Sequence, residues 1–217
     1  MYKACIFDLD GTLTDTLESL TYSVNETLRE LGLPSITSEQ CKSFVGNGAR
    51  YLIERALEAS GDTELTLIEE GMATYGRVFQ KHCTYHVAPY EGIVELLQEL
   101  KKDGIKLAVL SNKPHLQTQD VVATYFESGM FQYVQGQWEG VPRKPDPTAA
   151  RMIAENMGVD PKECVYIGDS EVDMQTANAA GMVSVGVTWG FRSRHTLEEH
   201  GAKHIIDQPK ELISIMK

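Results

Sequence analysis

The sequence predicts an α/β fold: a doubly wound parallel sheet of the Rossmann-like type, with an all-helical block inserted after the first strand. The first observation is a set of short apolar runs, such as residues 4–7 and 105–110, which are typical of strands buried on both faces. The second is that these runs alternate with segments whose apolar residues recur every three or four positions, as in amphipathic helices. The third is that helical patterns alone fill residues 15–86. Strands that alternate with helices indicate a parallel sheet covered by helices.

The amino-terminal part of the chain contains one predicted strand and four predicted helices. The strand covers residues 4–7 and stops at two aspartates. A helix over residues 15–31 follows, because its apolar residues recur at steps of three and four until Gly32 interrupts the pattern. Three more helices are predicted: from Ser38 to the loop at 46–48, over 49–60 and over 64–81.

The rest of the chain alternates between helix and strand. The elements are predicted in this order: a helix over 91–102, a strand at 105–110, a helix from His115, a strand near 131–135, a helix to Met157 with Asp146 as N-cap and Pro147 in its first position, a strand at 164–167, a helix through Ala180, strands at 182–187 and 204–206, and a C-terminal helix. We therefore predict two domains. An α/β core is formed by residues 1–14 and 87–217, and a helical domain of residues 15–86 stands over the strand ends.

The composition is that of an ordinary globular protein, with 42% hydrophobic and 24% charged residues in 217. A formal net charge of −11 argues against nucleic acid or an anionic membrane surface as a partner. The four cysteines are far apart and lack the spacing of a zinc site, which favours free thiols in a reducing compartment. Without a targeting segment or a long apolar run, we expect a cytoplasmic protein.

Asp8 and Asp10 are the first candidates for chemistry. They lie two residues apart at the end of a strand, so they point the same way in extended chain, and Gly11 permits a sharp turn after them. Asp-Gly is also a common turn pair, and a polar strand end is an equal alternative for this pair alone. Two unit charges ~4 Å apart repel by roughly 4 kcal/mol at an effective dielectric of ~20, so a proton or a cation must offset the repulsion.

Polar side chains also follow other predicted strands at the same edge of the sheet. Ser111 and Asn112 offer a hydroxyl and a backbone N–H to phosphate oxygens, whereas Asp169 and Asp173 add carboxylates. Four aspartates at one edge need a hard cation, and an all-oxygen ligand set favours Mg²⁺ over zinc. Lys144 by itself reads as an exposed loop lysine, yet an acidic metal site that also holds phosphate needs a fixed positive charge.

These residues, in this order, resemble the four motifs of the haloacid dehalogenase (HAD) superfamily. The motifs are Asp8-Leu9-Asp10-Gly11-Thr12, Ser111-Asn112, Lys144, and Gly168-Asp169 followed by Asp173. The helical block after the first motif is similar to the inserted cap of that superfamily. Three runs, at 44–50, 89–92 and 111–114, are similar to the phosphoglycolate phosphatase group within it.

The resemblance implies a covalent mechanism that uses two carboxylates. Asp8 would attack phosphorus to give an aspartyl phosphate, while Asp10 would protonate the leaving oxygen and then activate water. The metal ligands would be Asp8, Asp10 through its backbone carbonyl, and Asp169, with Asp173 in support. Aspartate at position 10 separates the phosphotransferases of the superfamily from its members that cleave carbon–halogen bonds.

The resemblance also implies a set of substrate-binding residues. Ser111, the Asn112 N–H and Lys144 would hold the phosphoryl oxygens as charge spreads over them, and Thr12 would brace the loop. In the cap, Asn47 and Arg50 are candidates for binding the substrate. Arg50 would pair with a substrate carboxylate, and a surface arginine is an equal alternative.

The function predicted from these residues is a Mg²⁺-dependent phosphomonoesterase that acts on a small phosphorylated metabolite, with phosphoglycolate as the leading substrate. The enzymatic alternatives are a pyrophosphatase, a nucleotidase, and a sugar-phosphate phosphatase or phosphomutase of the same superfamily. A non-enzymatic phosphate-binding module is disfavoured because every motif carboxylate is intact. We expect a monomer or a weak homodimer that contacts neither nucleic acid nor membrane.

Overall fold

A computed structural model describes all 217 residues, in ten α-helices and eight strands. The strands are β1 Ala4–Phe7, β2 Thr14–Asp15, β3 Ala88–Pro89, β4 Lys106–Pro114, β5 Tyr133–Gln137, β6 Cys164–Gly168, β7 Val183–Val187 and β8 His204–Ile206. The helices are α1 Leu17–Glu30, α2 Ser38–Phe44, α3 Gly48–Ala59, α4 Ile68–His82, α5 Ile93–Lys102, α6 His115–Tyr125, α7 Thr148–Asn156, α8 Glu171–Ala180, α9 Arg194–Glu199 and α10 Leu212–Met216. None of these helices combines the length and the apolar character that crossing a membrane requires.

Six of the strands form one parallel sheet in the order β5-β4-β1-β6-β7-β8. Central strand β1 is buried on both faces. Its successive side chains point to opposite sides of the sheet, so they contact two different sets of helices. Cys5 and Phe7 pack with the side chains of α5 and α10, whereas Ala4 and Ile6 pack with those of α7 and α8. The predicted α/β fold with a doubly wound parallel sheet is therefore confirmed.

Helices α1–α4 lie between two short strands that bring the chain out of the sheet and back. Strands β2 and β3 pair in antiparallel fashion, with Thr14 opposite Pro89 and Asp15 opposite Ala88. The four helices have a hydrophobic core of their own, which is separate from the two cores flanking the sheet and includes Leu28, Leu57 and Phe79. We call α1–α4 the helical unit. The domain boundaries at 14/15 and 86/87 stay a prediction.

Several element ends differ from the predicted ones, for local reasons. Strand β4 continues to Pro114, with an irregular register after Leu110, and β5 starts at Tyr133. Helix α7 begins at Thr148 instead of Pro147, because Asp146 accepts the Thr148 N–H at 2.8 Å in a turn before the helix. Helix α4 starts only at Ile68, since the Asp62 carboxylate accepts the N–H groups of residues 66 and 67 and holds that segment as a loop.

Candidate active site

A cavity of about 50 Å³ lies where the carboxyl ends of β1, β4 and β6 meet the helical unit. Strands β4 and β6 lie on opposite sides of β1 in the sheet, so the order of the strands reverses at β1. Open α/β sheets bind their ligands at such a point. The sheet edge contributes Asp8, Asp10, Ser111, Asn112, Lys113, Lys144 and Asp169 to its lining. The helical unit contributes an apolar wall of Leu20, Val45, Ala49, Leu52, Tyr75 and Phe79.

Asp8 comes directly after β1, and its residue is only 8% exposed. One carboxylate oxygen, Oδ1, accepts the Leu9 N–H at 2.7 Å and lies 2.9 Å from Lys144 Nζ. The other oxygen, Oδ2, accepts no hydrogen bond within the protein. Burial and the neighbouring Asp173 carboxylate raise the pKa of Asp8 well above its usual value, and the Lys144 ammonium opposes that rise.

Lys144 is a buried cation, 3% exposed, that is held at both ends. Its backbone is fixed by Asn112, whose Oδ1 accepts the Lys144 N–H at 2.9 Å and whose Nδ2 donates to the Lys144 carbonyl at 3.0 Å. Its ammonium donates to Asp173 Oδ1 at 2.8 Å and to the Leu110 carbonyl at 3.2 Å, besides its contact with Asp8. Two hydrogen bonds and one ion pair thus hold the ammonium beside Asp8.

Asp169 follows β6 and is held by donors on both oxygens. Oδ1 accepts from the Thr12 hydroxyl at 3.2 Å, and Oδ2 accepts the Phe191 N–H at 2.7 Å. Burial and the neighbouring Asp173 raise the pKa of Asp169 to about 7, against the lowering effect of the Phe191 N–H. Asp169 is therefore a carboxyl group that carries a proton at mildly acidic pH in the metal-free protein.

Asp173 lies in the first turn of α8 and is fully buried. Its Oδ2 accepts both the N–H and the hydroxyl of Ser170, at 3.1 and 2.6 Å, which completes the capping box of the helix. Its other oxygen faces Lys144. Asp173 thus fixes the start of α8 and the position of the Lys144 ammonium together.

Two glycines make room for the Asp169 carboxylate. A Cβ atom at Gly11 or at Gly190 would run into the Asp169 side chain, and Gly11 also has a φ of +84°. The backbone therefore packs directly against this carboxylate on two sides, and only glycine fits at either position.

The residues present fit a bound divalent cation with oxygen ligands. Carboxylate oxygens of Asp8, Asp169 and Asp173 all lie within 4.8 Å of one another, and all three residues are buried. One ammonium, that of Lys144, contacts two of these carboxylates, so their negative charge is not balanced within the site. Hard oxygen donors with excess negative charge are the ligands that Mg²⁺ and similar cations prefer.

Two positively charged residues of the cavity wall have no assigned role in the sequence analysis. Lys113 has a side chain that is 1% exposed, and its Nζ donates to Asp10 Oδ1 at 2.8 Å. Arg192 donates to Glu171 and to the carbonyls of Lys42 and Val45, which joins the sheet edge to the helical unit. No periodicity or spacing in the sequence indicates that either residue lies at the cavity, because a buried cation and an exposed one look alike in a sequence.

The structure brings six predicted residues to the cavity wall: Asp8, Asp10, Ser111, Asn112, Lys144 and Asp169. Thr12 and Asp173 lie behind this wall and contact Asp169 and Lys144. Arg50 and Asn47 are not brought to the cavity. The Arg50 guanidinium is half exposed and pairs instead with Glu54 and Glu69, each at 3.0 Å.

The family model described as "Haloacid dehalogenase-like hydrolase" matches residues 5–187. A phosphoglycolate phosphatase from Colwellia psychrerythraea (strain 34H) is 32% identical to this chain over 219 residues, which cover 99% of the chain and 97% of that protein. Both matches include the helical unit and every motif residue named above, and the match to the Colwellia protein covers nearly the whole chain.

Solved structures agree with the sequence relatives. The crystal structure of a predicted phosphoglycolate phosphatase from Haemophilus somnus 129pt has a TM-score of 0.92 and 26% identity, and the match covers 100% of this chain and 98% of that one. The crystal structure of CbbY from Rhodobacter sphaeroides in complex with phosphate has a TM-score of 0.81 and 25% identity, with coverage of 98% and 96%.

Proposed function

The chain belongs to the haloacid dehalogenase-like hydrolase family and is a phosphatase of that family, and from this premise we propose that it is a Mg²⁺-dependent phosphoglycolate phosphatase. The observation that carries the proposal is that Asp8 lines the cavity with its Oδ1 held by the Leu9 N–H and the Lys144 ammonium, whereas its Oδ2 accepts no hydrogen bond within the protein. A carboxylate with one oxygen held and the other free is suited to act as a nucleophile.

The reaction is proposed to proceed in two steps. Asp8 Oδ2 forms a bond to phosphorus, the bond from phosphorus to the ester oxygen breaks, and Asp10 gives its proton to that oxygen. Water then attacks the aspartyl phosphate while Asp10 takes a proton from it, which returns Asp8 and releases phosphate. Ser111, the Asn112 N–H and Lys144 are proposed to bind the phosphoryl oxygens throughout.

The proposed Mg²⁺ ligands are the Asp8 and Asp169 side chains and the Asp10 carbonyl, with Asp173 in support. When bound, the cation would neutralise charge on the phosphoryl group and make attack by a carboxylate possible. The buried group of three carboxylates supports this assignment.

The helical unit lies against the sheet edge that holds the motif residues, and this arrangement supports a compact leaving group such as the two-carbon glycolate. The names of the relatives support the same substrate. Four buried free cysteines support a reducing, cytoplasmic setting. The monomer or weak homodimer stays a prediction.

The test is phosphate release in Mg²⁺ from 2-phosphoglycolate, pyrophosphate, and several sugar and nucleotide monophosphates. We expect kcat/KM to favour 2-phosphoglycolate by ~100-fold, about 2.7 kcal/mol of transition-state binding. Asp8→Asn is expected to lower phosphate release at least ~1000-fold, whereas the control Asp207→Asn, at an exposed ion pair, is expected to keep it. Turnover by Asp8→Asn would exclude the mechanism, and a different preferred substrate would exclude phosphoglycolate alone.

A further inference from the structure

Three cationic side chains line the cavity: Lys113, Lys144 and Arg192. Two of them are already bound by several acceptors within the protein. The Lys144 ammonium donates to the Leu110 carbonyl and to Asp173, and it forms an ion pair with Asp8. Each of the three guanidinium nitrogens of Arg192 has an acceptor as well, at 2.6 to 3.0 Å. Lys113 differs from both.

The Lys113 ammonium has a single acceptor, Asp10 Oδ1, at 2.8 Å. An ammonium carries three N–H groups, so two of them have no partner in the protein. The side chain is 1% exposed, and Nζ lies 4.8 Å from the centroid of the Phe79 ring in the apolar wall of the helical unit. Bulk water therefore cannot serve these two donors freely, and a buried cation with unfilled donors favours an anionic ligand.

We propose that Lys113 is the specificity-determining residue that binds a carboxylate on the leaving group of the substrate. This inference rests on the proposed phosphatase function and adds the group that distinguishes a carboxylate-bearing phosphomonoester from other phosphates. Arg50 is not available for this task because it pairs with Glu54 and Glu69 outside the cavity. Arg143 is exposed and is not part of the cavity wall.

The position of Lys113 fits a carboxylate that is two bonds from the ester oxygen. Asp10 must lie within hydrogen-bonding distance of that oxygen to protonate it, about 3 Å. When Asp10 gives its proton through Oδ1, the oxygen that lies 2.8 Å from Lys113 Nζ, Nζ is at most about 6 Å from the ester oxygen. In a phosphoglycolate-like substrate, three bonds join the ester oxygen to a carboxylate oxygen about 3 Å away, and a hydrogen bond of about 2.8 Å from Nζ completes this span.

The test compares two substrates that differ only in the charge of the leaving group: 2-phosphoglycolate and its amide, 2-phosphoglycolamide. The ratio of their kcat/KM values isolates recognition of the carboxylate, because any effect of Lys113 on Asp10 acts on both substrates. We expect Lys113→Met to lower this ratio by about 10- to 100-fold, the range for loss of a hydrogen bond between charged groups. Lys113→Arg keeps the charge and is expected to retain most of the ratio.

The matched control is Lys101→Met, at an exposed lysine in the last turn of α5 that donates to the Gly129 carbonyl. We expect it to leave the ratio unchanged. If Lys113→Met and the control give the same ratio, the inference is wrong although phosphatase function stands. If the unmodified protein releases phosphate from no monoester, the proposed function itself has failed.

A second measurement does not depend on whether Lys113→Met folds. The unmodified protein is inhibited with 3-phosphonopropanoate, a non-hydrolysable analogue with a carboxylate, and with its amide. We expect the acid to bind at least about tenfold more tightly, since only the acid offers a charged acceptor to the Lys113 ammonium. Equal inhibition by acid and amide would overturn the inference.

Discussion

Asp169 makes the stability of the metal-free protein depend on pH in a direction opposite to that of most carboxylates. Burial and Asp173 raise its pKa to about 7, whereas in the unfolded chain it returns to its ordinary value of 3.8. Between these two values the folded state binds a proton that the unfolded state has lost. The free energy of unfolding therefore falls as pH rises and becomes level above pH 7.

The size of this decrease in the free energy of unfolding follows from the pH interval between pH 5 and the raised pKa of Asp169. A change from pH 5 to pH 7 covers two pH units, which is about 2.7 kcal/mol for one group at 1.36 kcal/mol per unit. The exposed carboxylates Glu26, Glu30 and Asp62 have lowered pKa values and are already ionised at pH 5, so they do not contribute. We expect the metal-free protein to lose about 2.7 kcal/mol through Asp169 on going from pH 5 to pH 8.

Urea unfolding at several pH values, with EDTA and with saturating Mg²⁺, measures this effect. The control is Asp169→Asn, because the difference between it and the unmodified protein removes the contribution of titrating groups that lie far from Asp169. With Mg²⁺ at about 100 times its dissociation constant, pH 8 should bring a gain of about 2.7 kcal/mol in the unmodified protein only. The same pH dependence in both proteins would refute the assignment of a raised pKa to Asp169.

Two further substitutions test the packing around the site. Gly190→Ala places a Cβ atom against the Asp169 side chain, so we expect the Mg²⁺ concentration that gives half-maximal phosphate release to rise at least about tenfold. The control is Gly76→Ala, where nothing lies within 4 Å of the added atom, and it should leave that concentration unchanged. Arg192→Met removes three hydrogen bonds of a partly buried guanidinium and is expected to lower the free energy of unfolding by about 2 kcal/mol. Arg194→Met, at an exposed ion pair, is expected to lower it by less than about 1 kcal/mol. Equal losses, measured by urea unfolding, would contradict a special role for Arg192.

Much of the fold follows from local sequence patterns. The apolar runs predict β1 and β6 within a residue, because a strand buried on both faces leaves a continuous signal. The ribbon of β2 and β3 has no such signal, since two residues per strand show no periodicity. The end of β4 also lacks a hydrophobic pattern, because its last residues are polar. Pairing with β5 keeps them extended as far as Pro114.

In the candidate site, too, some residues could be placed from the sequence and others could not. The positions of Asp8 and Asp169 follow from strand ends, because the carboxyl ends of parallel strands meet at one edge. The burial of Lys113 depends on the Phe79 ring of the helical unit, 34 residues away in sequence from that lysine. The prediction for Arg50 rested on its place after a loop, whereas its orientation on α3 directs it to the acidic residues Glu54 and Glu69. A contact between distant segments decides the burial of Lys113, whereas a contact within α3 and one with Glu69 of α4 decide the orientation of Arg50.

The contacts between the sheet edge and the helical unit connect substrate binding with closure of the site. Asn112 holds the backbone of Lys144 and also donates to the Gly46 carbonyl at 3.0 Å, so one side chain joins this lysine, which is proposed to bind phosphate, to the loop before α3. Arg192 makes its two bonds to the helical unit nearby, at Lys42 and Val45. All these acceptors lie within 42–46, a segment that moves with the helical unit if the unit opens. Opening would break the Asn112 and Arg192 bonds together and expose Lys113 to water, so the cation proposed to bind the leaving group would be desolvated only in the closed form.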